Sequence, residues 1–137
     1  MHQPIVIVGA GPAGLAVAAC LKMRGLRARL LERGEAPGWS WSRHYESLRL
    51  HTPRSLSSLP GFSLRCATPY PGRDDFLAYL AAYARKFDLD IDLDCEVTDV
   101  QRDGDAWRIE TQHGSCRARH AVLATGFFSV PREPEWP

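Results

Sequence analysis

The 137-residue sequence contains no apolar run that approaches the ~20 residues needed to cross a bilayer. It also lacks an excess of either charge, because 17 Lys and Arg residues against 16 Asp and Glu residues give a net charge of +1. Without a basic stripe, neither nucleic-acid binding nor binding to an anionic membrane is predicted. Residues 1–4 lead directly into a strand-like segment, so we expect no signal peptide and a cytoplasmic protein.

Cysteine is sparse, and none of the cysteines forms a CxxC pair. The four are Cys20, Cys66, Cys95 and Cys116. Their spacing predicts no metal site and fits reduced thiols in the cytoplasm. Hydrophobic residues make up 45% of the chain and charged residues 24%, which predicts a globular domain.

The strongest motif lies near the start of the chain. A β-branched run at residues 5–8 predicts a strand that is buried on both faces of a parallel sheet. The segment that follows fits GxGxxG and reads Gly9-Ala10-Gly11-Pro12-Ala13-Gly14. An Ala-rich helix is predicted over 12–24, with Gly25 ending it, and a second strand over 26–31.

Each part of this motif has a physical role in binding a dinucleotide. Gly9 allows a tight turn, Gly11 lets the backbone approach a pyrophosphate, and Gly14 lets the helix pack closely on the strand. The helix N-terminus offers free N–H groups to the phosphates. Glu32, followed by Arg33, lies 18 residues after Gly14, close to the spacing at which a carboxylate receives ribose hydroxyls. A carboxylate there disfavours a 2′-phosphate, so the segment predicts FAD or NAD and leaves the choice open.

A long loop is predicted from Gly34 to Gly72, where the sequence is rich in Pro, Gly, Ser and Trp. The aromatic residues Trp39, Trp41 and Tyr45 in this loop have two interpretations. They cover a flat cofactor ring, or they form a small core beneath the loop. The sequence favours neither.

The last part of the chain predicts a helix and four strands. The helix covers 73–89, with Phe76, Leu80, Tyr83 and Phe87 on one packing face. Three antiparallel strands are predicted over 95–101, 107–111 and 115–119, and an apolar run at 121–124 is predicted to return to the parallel sheet.

The predicted fold class follows from this order of elements. It is an α/β, Rossmann-like FAD/NAD(P)-binding domain with a parallel sheet, helices and an inserted three-stranded antiparallel meander, extending over 1–137. Thr125 and Gly126 follow the returning strand and are expected at the carboxyl edge of the sheet, where ligands of such sheets bind.

The order of parts resembles that of the flavoproteins with two dinucleotide-binding domains. The loop narrows the resemblance to class B flavin monooxygenases, in the flavin-containing monooxygenase and YUCCA-like branch. The residues that carry it are Gly38-x-x-Trp41, Tyr45-x-x-Leu48-x-Leu50-His51-Thr52-Pro53, Leu59-Pro60 and Tyr70-Pro71. Ala124-Thr125-Gly126, with Pro131 four residues after Phe127, is similar to the same family.

The resemblance implies that the chain is the FAD-binding N-terminal part of a monooxygenase in which NADPH reduces the flavin and a small organic substrate is oxygenated. It places the glycine-rich loop on the pyrophosphate, Glu32 on the adenosine ribose and the Val97 backbone beside the adenine. Trp41 and His51-Thr52 are expected near the flavin. The residues expected at the cofactor are Gly9, Ala10, Gly11, Pro12, Ala13, Gly14, Glu32, Arg33, Trp41, His51, Thr52, Val97, Ala124, Thr125 and Gly126. Relatives carry an Asn near the position of His51, so no catalytic role is assigned to His51; a solvent-facing histidine is the equal alternative.

A second GxGxxG motif, which the family uses for NADPH, does not occur in this sequence. We therefore expect NADPH to bind through a region outside these residues, and the FAD domain to be incomplete, with an uncovered sheet edge. The alternative is a non-catalytic module that holds FAD or NAD. An NAD-dependent dehydrogenase is disfavoured, because a meander stands where such domains have a helix and a strand.

Overall fold

The computed structural model describes residues 2–127 and 132–136. Within that part of the chain lie three helices and six strands. They are β1 (His2–Val8), α1 (Pro12–Lys22), β2 (Arg29–Leu31), α2 (Trp39–Ser42), α3 (Arg73–Lys86), β3 (Asp90–Asp92), β4 (Val97–Asp103), β5 (Ala106–Thr111) and β6 (Gly114–Leu123). Pro131, part of the resemblance, lies outside the described residues. No helix in the described part of the chain combines the length and the apolar character that crossing a membrane requires.

The six strands form one sheet in the order β3-β2-β1-β6-β5-β4. Strands β3, β2, β1 and β6 are parallel, whereas β6, β5 and β4 are antiparallel. The predicted α/β, Rossmann-like fold class is confirmed.

The meander and the parallel sheet share the strand β6, which corrects the prediction of separate strands at 115–119 and 121–124. Residues 114–118 of β6 pair with β5, and residues 117–123 pair with β1, so one continuous strand serves both parts of the sheet. The pattern of apolar residues changes at residue 119 because β6 leaves β5 there, although the backbone continues without a break. The paired strands of the meander are otherwise as predicted, within a few residues.

The chain between α1 and β2 differs from its prediction. The helix ends at Lys22 rather than residue 24, and Gly25 follows with φ +76°. The Leu26 N–H then donates to the Leu21 carbonyl at 3.0 Å, which closes the helix end. Because Leu26 serves the helix, β2 begins only at Arg29 instead of residue 26. The short strand β3 was not predicted at all.

Apolar side chains are buried on both faces of the sheet. On one face Ile7 and Leu30 pack with Leu15 of α1 and Leu80 of α3. On the other face Val6 and Leu31 pack with Cys95, Ile109 and Ala118 of the meander region. Burial of alternate residues on opposite faces explains the uninterrupted apolar run in β1.

The predicted loop over 34–72 contains the single turn α2 but is otherwise without long regular elements. Two tyrosines of α3 hold it in place. The Tyr79 hydroxyl accepts the Leu59 N–H and donates to the Phe62 carbonyl, both at 2.6 Å. The Tyr83 hydroxyl donates to the Pro60 carbonyl at 2.7 Å. The predicted packing face of α3 is confirmed, but the helix ends at Lys86 rather than residue 89.

Candidate functional site

A cavity of ≈ 720 Å³ opens at the carboxyl ends of three neighbouring parallel strands. Val8, Leu31 and Leu123, the last residues of β1, β2 and β6, line it. Ligands of open α/β sheets bind at this edge, and the cavity has the volume of an ordinary small-molecule site. The cavity is therefore the candidate cofactor site.

The glycine-rich loop lines this cavity, and two of its glycines are required by the packing of the protein itself. Gly9 has φ +101°, and a Cβ built on it would lie 2.5 Å from the Ala124 carbonyl oxygen. A Cβ on Gly14 would lie 2.0 Å from the Gly9 carbonyl oxygen. Gly14 thus brings α1 close to the turn after β1, and Gly9 brings that turn close to the end of β6.

Gly11 has a different role, because nothing in the protein requires it. Its φ of −76° and ψ of −174° suit any residue, and a Cβ there would meet no atom within 4 Å. Gly11 lines the cavity, so the missing side chain leaves space inside the site. This space fits a group that approaches the backbone closely, as the pyrophosphate of a dinucleotide does.

The start of α1 supplies the matching electrostatics. Gly11 is the N-cap residue and provides no side-chain cap, and Pro12 follows at the first helical position. The positive end of the helix dipole and the N–H groups of the first turn are therefore available to an anion in the cavity. The space at Gly11 and the positive end of the α1 dipole therefore lie at the same part of the cavity.

Glu32 follows β2 and has only 7% of its surface exposed. Its Oε2 accepts the Ala10 N–H at 2.8 Å, and its Oε1 accepts the Gly34 N–H at 3.0 Å. A carboxylate has about four acceptor positions, so each oxygen keeps capacity for a ribose hydroxyl. The side chain lines the cavity in a fixed orientation.

The wall opposite the helices is formed by the segment that leads into β4. The Cys95 N–H donates to the Glu32 carbonyl at 2.8 Å, which holds this segment beside the end of β2. Between Val97 and Asp99 the pairing with β5 is shifted, as in a β-bulge. Cys95, Glu96 and Val97 all line the cavity.

The wall on the helical face is α2 and the residues after it. The Gly38 N–H donates to the Ala10 carbonyl at 2.8 Å, so this segment is tied to the glycine-rich loop. The Trp41 ring packs edge-on against Phe76 of α3, with 4.7 Å between ring centroids. His44 packs edge-on against Trp41 at 5.5 Å. Trp41 therefore packs against the core, as the second interpretation of the aromatic loop predicts, and it also lines the cavity; that it covers a cofactor ring stays a prediction.

Trp39 does not line the cavity but supports its edge. Its indole covers the backbone of Gly34, where a Cβ would lie 2.0 Å from the ring. The guanidinium carbons of Arg33 and Arg43 lie 5.2 and 5.4 Å from the Trp39 ring centroid. These cation–π contacts orient Arg33, which lines the cavity.

Most of the residues predicted at the cofactor are brought together in this cavity. Those that line it are Gly9, Gly11, Pro12, Ala13, Glu32, Arg33, Trp41, Val97, Ala124, Thr125 and Gly126. Ala10 and Gly14 are buried beneath its surface. His51 and Thr52 are exposed in the loop and are not among the lining residues. The Thr52 hydroxyl instead lies 2.7 Å from that of Ser57.

Sequence reasoning missed several lining residues. They are Val8, Leu31, Ser40, His44, Cys95, Glu96, Leu123 and Phe127. The residues at strand ends, Val8, Leu31 and Leu123, could have been predicted, because the carboxyl ends of parallel strands lie at the same edge of a sheet and ligands bind there. His44 carried a weaker signal: it lies three residues after Trp41, a spacing that brings side chains to one face of a helical turn.

The sequence from residue 6 to residue 137 matches the family model described as pyridine nucleotide-disulphide oxidoreductase. The chain belongs to this family. An indole-3-pyruvate monooxygenase, YUCCA1, of Oryza sativa subsp. japonica is 40% identical over 137 residues, covering 96% of this chain and 34% of that protein. An uncharacterized CzcO-like oxidoreductase of Geobacillus kaustophilus is 37% identical over 131 residues, covering 95% of this chain and 38% of that protein. The chain thus spans little more than a third of the length of these relatives.

Among solved structures, the flavin-containing monooxygenase from Stenotrophomonas maltophilia superposes with a TM-score of 0.90 at 33% identity. The match covers 98% of this chain and 42% of that protein. This member of the pyridine nucleotide-disulphide oxidoreductase family therefore matches the N-terminal part of flavin monooxygenases, and the resemblance found in the sequence is confirmed.

Proposed function

We propose that this chain is the FAD-binding part of an NADPH-dependent flavin monooxygenase that transfers one oxygen atom to a small organic molecule. The observation that carries the proposal is the space left at Gly11, inside the cavity and beside the start of α1. The backbone angles and the packing of the protein do not require a glycine at this position. A glycine that lines a cavity without a structural need for it is consistent with close contact between the backbone and a ligand. The relatives named as monooxygenases support the reaction class.

The residues of the cavity divide into binding roles. Gly11 and the first turn of α1 hold the diphosphate, and Glu32 receives the hydroxyls of the adenosine ribose. Val97 lies beside the adenine. Trp41 and the backbone of Thr125 and Gly126 lie on either side of the flavin-binding part of the cavity. FAD supplies the redox chemistry when it is bound, and the protein orients it and limits access of water. No side chain of this chain is assigned a catalytic role.

NADPH and the substrate are proposed to bind outside these residues, since the chain has a single GxGxxG motif. The rice relative is named for indole-3-pyruvate, which supports a small organic substrate for this chain as well. The four free cysteines support a cytoplasmic, reducing setting.

The test is the visible absorption spectrum of the purified protein after FAD has been added and the excess removed. We expect a retained flavin spectrum whose bands are shifted from those of free FAD. A colourless protein that is folded by circular dichroism would overturn the proposal for this chain.

A matched pair of variants tests the role of Gly11. Gly72, the N-cap residue of α3, has nearly the same backbone angles, with φ −77° and ψ 172°. Gly11→Ala is expected to weaken FAD binding at least tenfold because its Cβ enters the ligand space, while Gly72→Ala leaves the affinity unchanged. Equal affinities of the two variants for FAD would contradict the assignment of Gly11.

The second candidate function is a non-catalytic dinucleotide-binding module. The single GxGxxG motif favours it, since no second nucleotide site is encoded in these residues. Because NADPH is proposed to bind outside these residues, the two functions are separated by anaerobic addition of NADPH to the FAD-loaded full-length protein of which this chain is the proposed FAD-binding part. Bleaching of the flavin band supports the oxidoreductase, and an unchanged spectrum supports the module.

A further inference from the structure

Glu96 is the second acid of the cavity, and its surroundings differ from those of Glu32. Among the described residues that line the cavity, these two are the only acids. The Glu32 carboxylate is buried and accepts two backbone N–H groups. Glu96 is exposed, and within the described part of the chain its carboxylate makes no hydrogen bond or ion pair. The protein therefore leaves the negative charge of Glu96 unbalanced.

Backbone hydrogen bonds hold Glu96 close to Glu32. The Asp94 N–H donates to the Gly34 carbonyl at 2.9 Å, and the Cys95 N–H donates to the Glu32 carbonyl at 2.8 Å. The segment that carries Glu96 thus runs beside the segment that begins with Glu32. Glu96 directly follows the residue that is bonded to Glu32.

The side chain of Glu96 points away from the core of the protein. Cys95 before it is buried in the apolar cluster on the meander side of the sheet, and Val97 after it packs against the same cluster. Because side chains alternate along an extended backbone, the side chain between them is directed to the other side. There Glu96 lines the cavity, and its carbonyl is fixed by the Gln112 N–H at 3.2 Å. The Glu96 carboxylate thus lies on the wall that the adenosine half of the proposed ligand faces.

Arg33 is the one Lys or Arg side chain among the described residues that line the cavity. An arginine near the ribose is the group with which NADP-binding sites accommodate a 2′-phosphate. Here the guanidinium carbon lies 5.2 Å from the centroid of the Trp39 ring, and Trp39 does not line the cavity. The positive charge of Arg33 is thus engaged by an aromatic ring, whereas the negative charge of Glu96 is not engaged.

We propose that Glu96 is a specificity-determining residue, whose carboxylate acts with that of Glu32 to exclude an adenosine 2′-phosphate from this cavity. FAD and NADPH both contain an adenosine diphosphate, but only NADPH carries a phosphate on the 2′-oxygen. An enzyme that uses both has to keep NADPH out of its FAD cavity. Two carboxylates on adjacent segments repel the 2′-phosphate and leave the free 2′-hydroxyl of FAD unaffected. This inference rests on the proposed function, because it requires the adenosine half of FAD in the cavity.

The experiment compares NAD⁺ and NADP⁺, which differ only in the 2′-phosphate, as competitors that displace FAD from the protein. The change in flavin fluorescence gives the Kd of each competitor. For the unmodified protein we expect NADP⁺ to bind at least about tenfold more weakly than NAD⁺. Glu96→Gln keeps the size of the side chain but removes its charge. It is expected to narrow this difference about twofold to fivefold, chiefly by strengthening the binding of NADP⁺.

The salt dependence separates an effect of charge from an effect of shape. The effect of Glu96→Gln is expected to shrink as NaCl is raised from about 0.05 M to about 0.5 M, since salt screens an exposed charge. A change in the shape of the cavity would persist at high salt, and persistence would contradict the assignment of Glu96.

Glu35→Gln is the matched control, because Glu35 is also exposed and lies close to Glu32 in the sequence, but does not line the cavity. It is expected to leave the ratio of the two Kd values unchanged. An unchanged ratio in Glu96→Gln, or an equal change in both variants, would overturn the inference. If NADP⁺ binds to the unmodified protein as tightly as NAD⁺, or if NAD⁺ does not displace FAD, the inference fails and the proposed function stands. If the protein binds no FAD, both fail.

Discussion

The carboxylate of Glu32 accepts the backbone N–H of Ala10 at 2.8 Å, which joins the end of β2 to the glycine-rich loop after β1. The same carboxylate accepts the N–H of Gly34, so it also fixes the start of the long loop. One buried acid therefore holds together the two segments between which a ribose and its diphosphate would lie. The residue that is proposed to bind the ribose therefore also fixes the two segments around its site.

This relationship predicts the effect of Glu32→Gln. The amide offers one acceptor oxygen to two N–H donors, so one donor faces an NH₂ group and loses its partner. A hydrogen bond to a charged group contributes about 1.5–3 kcal/mol, and we expect the free energy of unfolding to fall by about that amount. Urea unfolding of the cofactor-free protein measures it.

Glu96→Gln serves as the control for this prediction, because Glu96 lines the same cavity but is exposed. It should change the free energy of unfolding by less than about 0.5 kcal/mol. If the two variants were equally stable, the Glu32 contacts would not stabilise the fold.

A second prediction concerns Gly14, where a Cβ would lie 2.0 Å from the Gly9 carbonyl oxygen. Gly14→Ala forces α1 away from the turn, and we expect it to lower the free energy of unfolding by about 1–3 kcal/mol. Gly11→Ala has no such clash and is expected to leave stability unchanged or to raise it by about 0.4–1 kcal/mol. Thermal unfolding of the two cofactor-free variants separates these effects. A Gly14→Ala protein as stable as Gly11→Ala would contradict the packing role.

Gly11 and Gly14 belong to the segment of the chain whose structure the sequence predicts best. The unit from Ile5 to Glu32 is local, with each element adjacent in sequence to the next, so the motif and its flanking periodicity predicted it almost completely. The strand β3 was missed because Asp90, Ile91 and Asp92 form a strand too short to show an alternating pattern. Its place beside β2 is set by tertiary pairing.

The loop between α2 and α3 was predicted less well, for a related reason. A single helical turn such as α2 has no periodicity to detect. The path of the loop depends on distant anchors, such as Tyr79, Tyr83 and Arg73 of α3. Sequence resemblance therefore drew attention to His51, whereas the anchors bring His44 to the cavity.

The tyrosine anchors give a third prediction. Tyr79→Phe leaves the Leu59 N–H and the Phe62 carbonyl without their partner, while Tyr83→Phe removes one bond to the Pro60 carbonyl. At about 1 kcal/mol per hydrogen bond, Tyr79→Phe should cost about twice as much as Tyr83→Phe. Urea unfolding at neutral pH compares them. Equal losses would show that the two bonds of Tyr79 are not both stabilising.

The last prediction concerns alkaline pH. Burial raises the pKa of Tyr83 from 10.0 to about 12, with smaller contributions from Cys20 and Tyr79. Because the folded state holds the phenolic proton more tightly than the unfolded state, the stabilisation is complete below about pH 10 and is lost as the pH rises through about 12. Tyr83→Phe should make this decline in the free energy of unfolding smaller. A residual decline is expected, since burial also raises the pKa of Tyr79. Tyr45→Phe, at an exposed tyrosine, should retain the full decline, and parallel curves for the two variants would contradict the assignment to Tyr83.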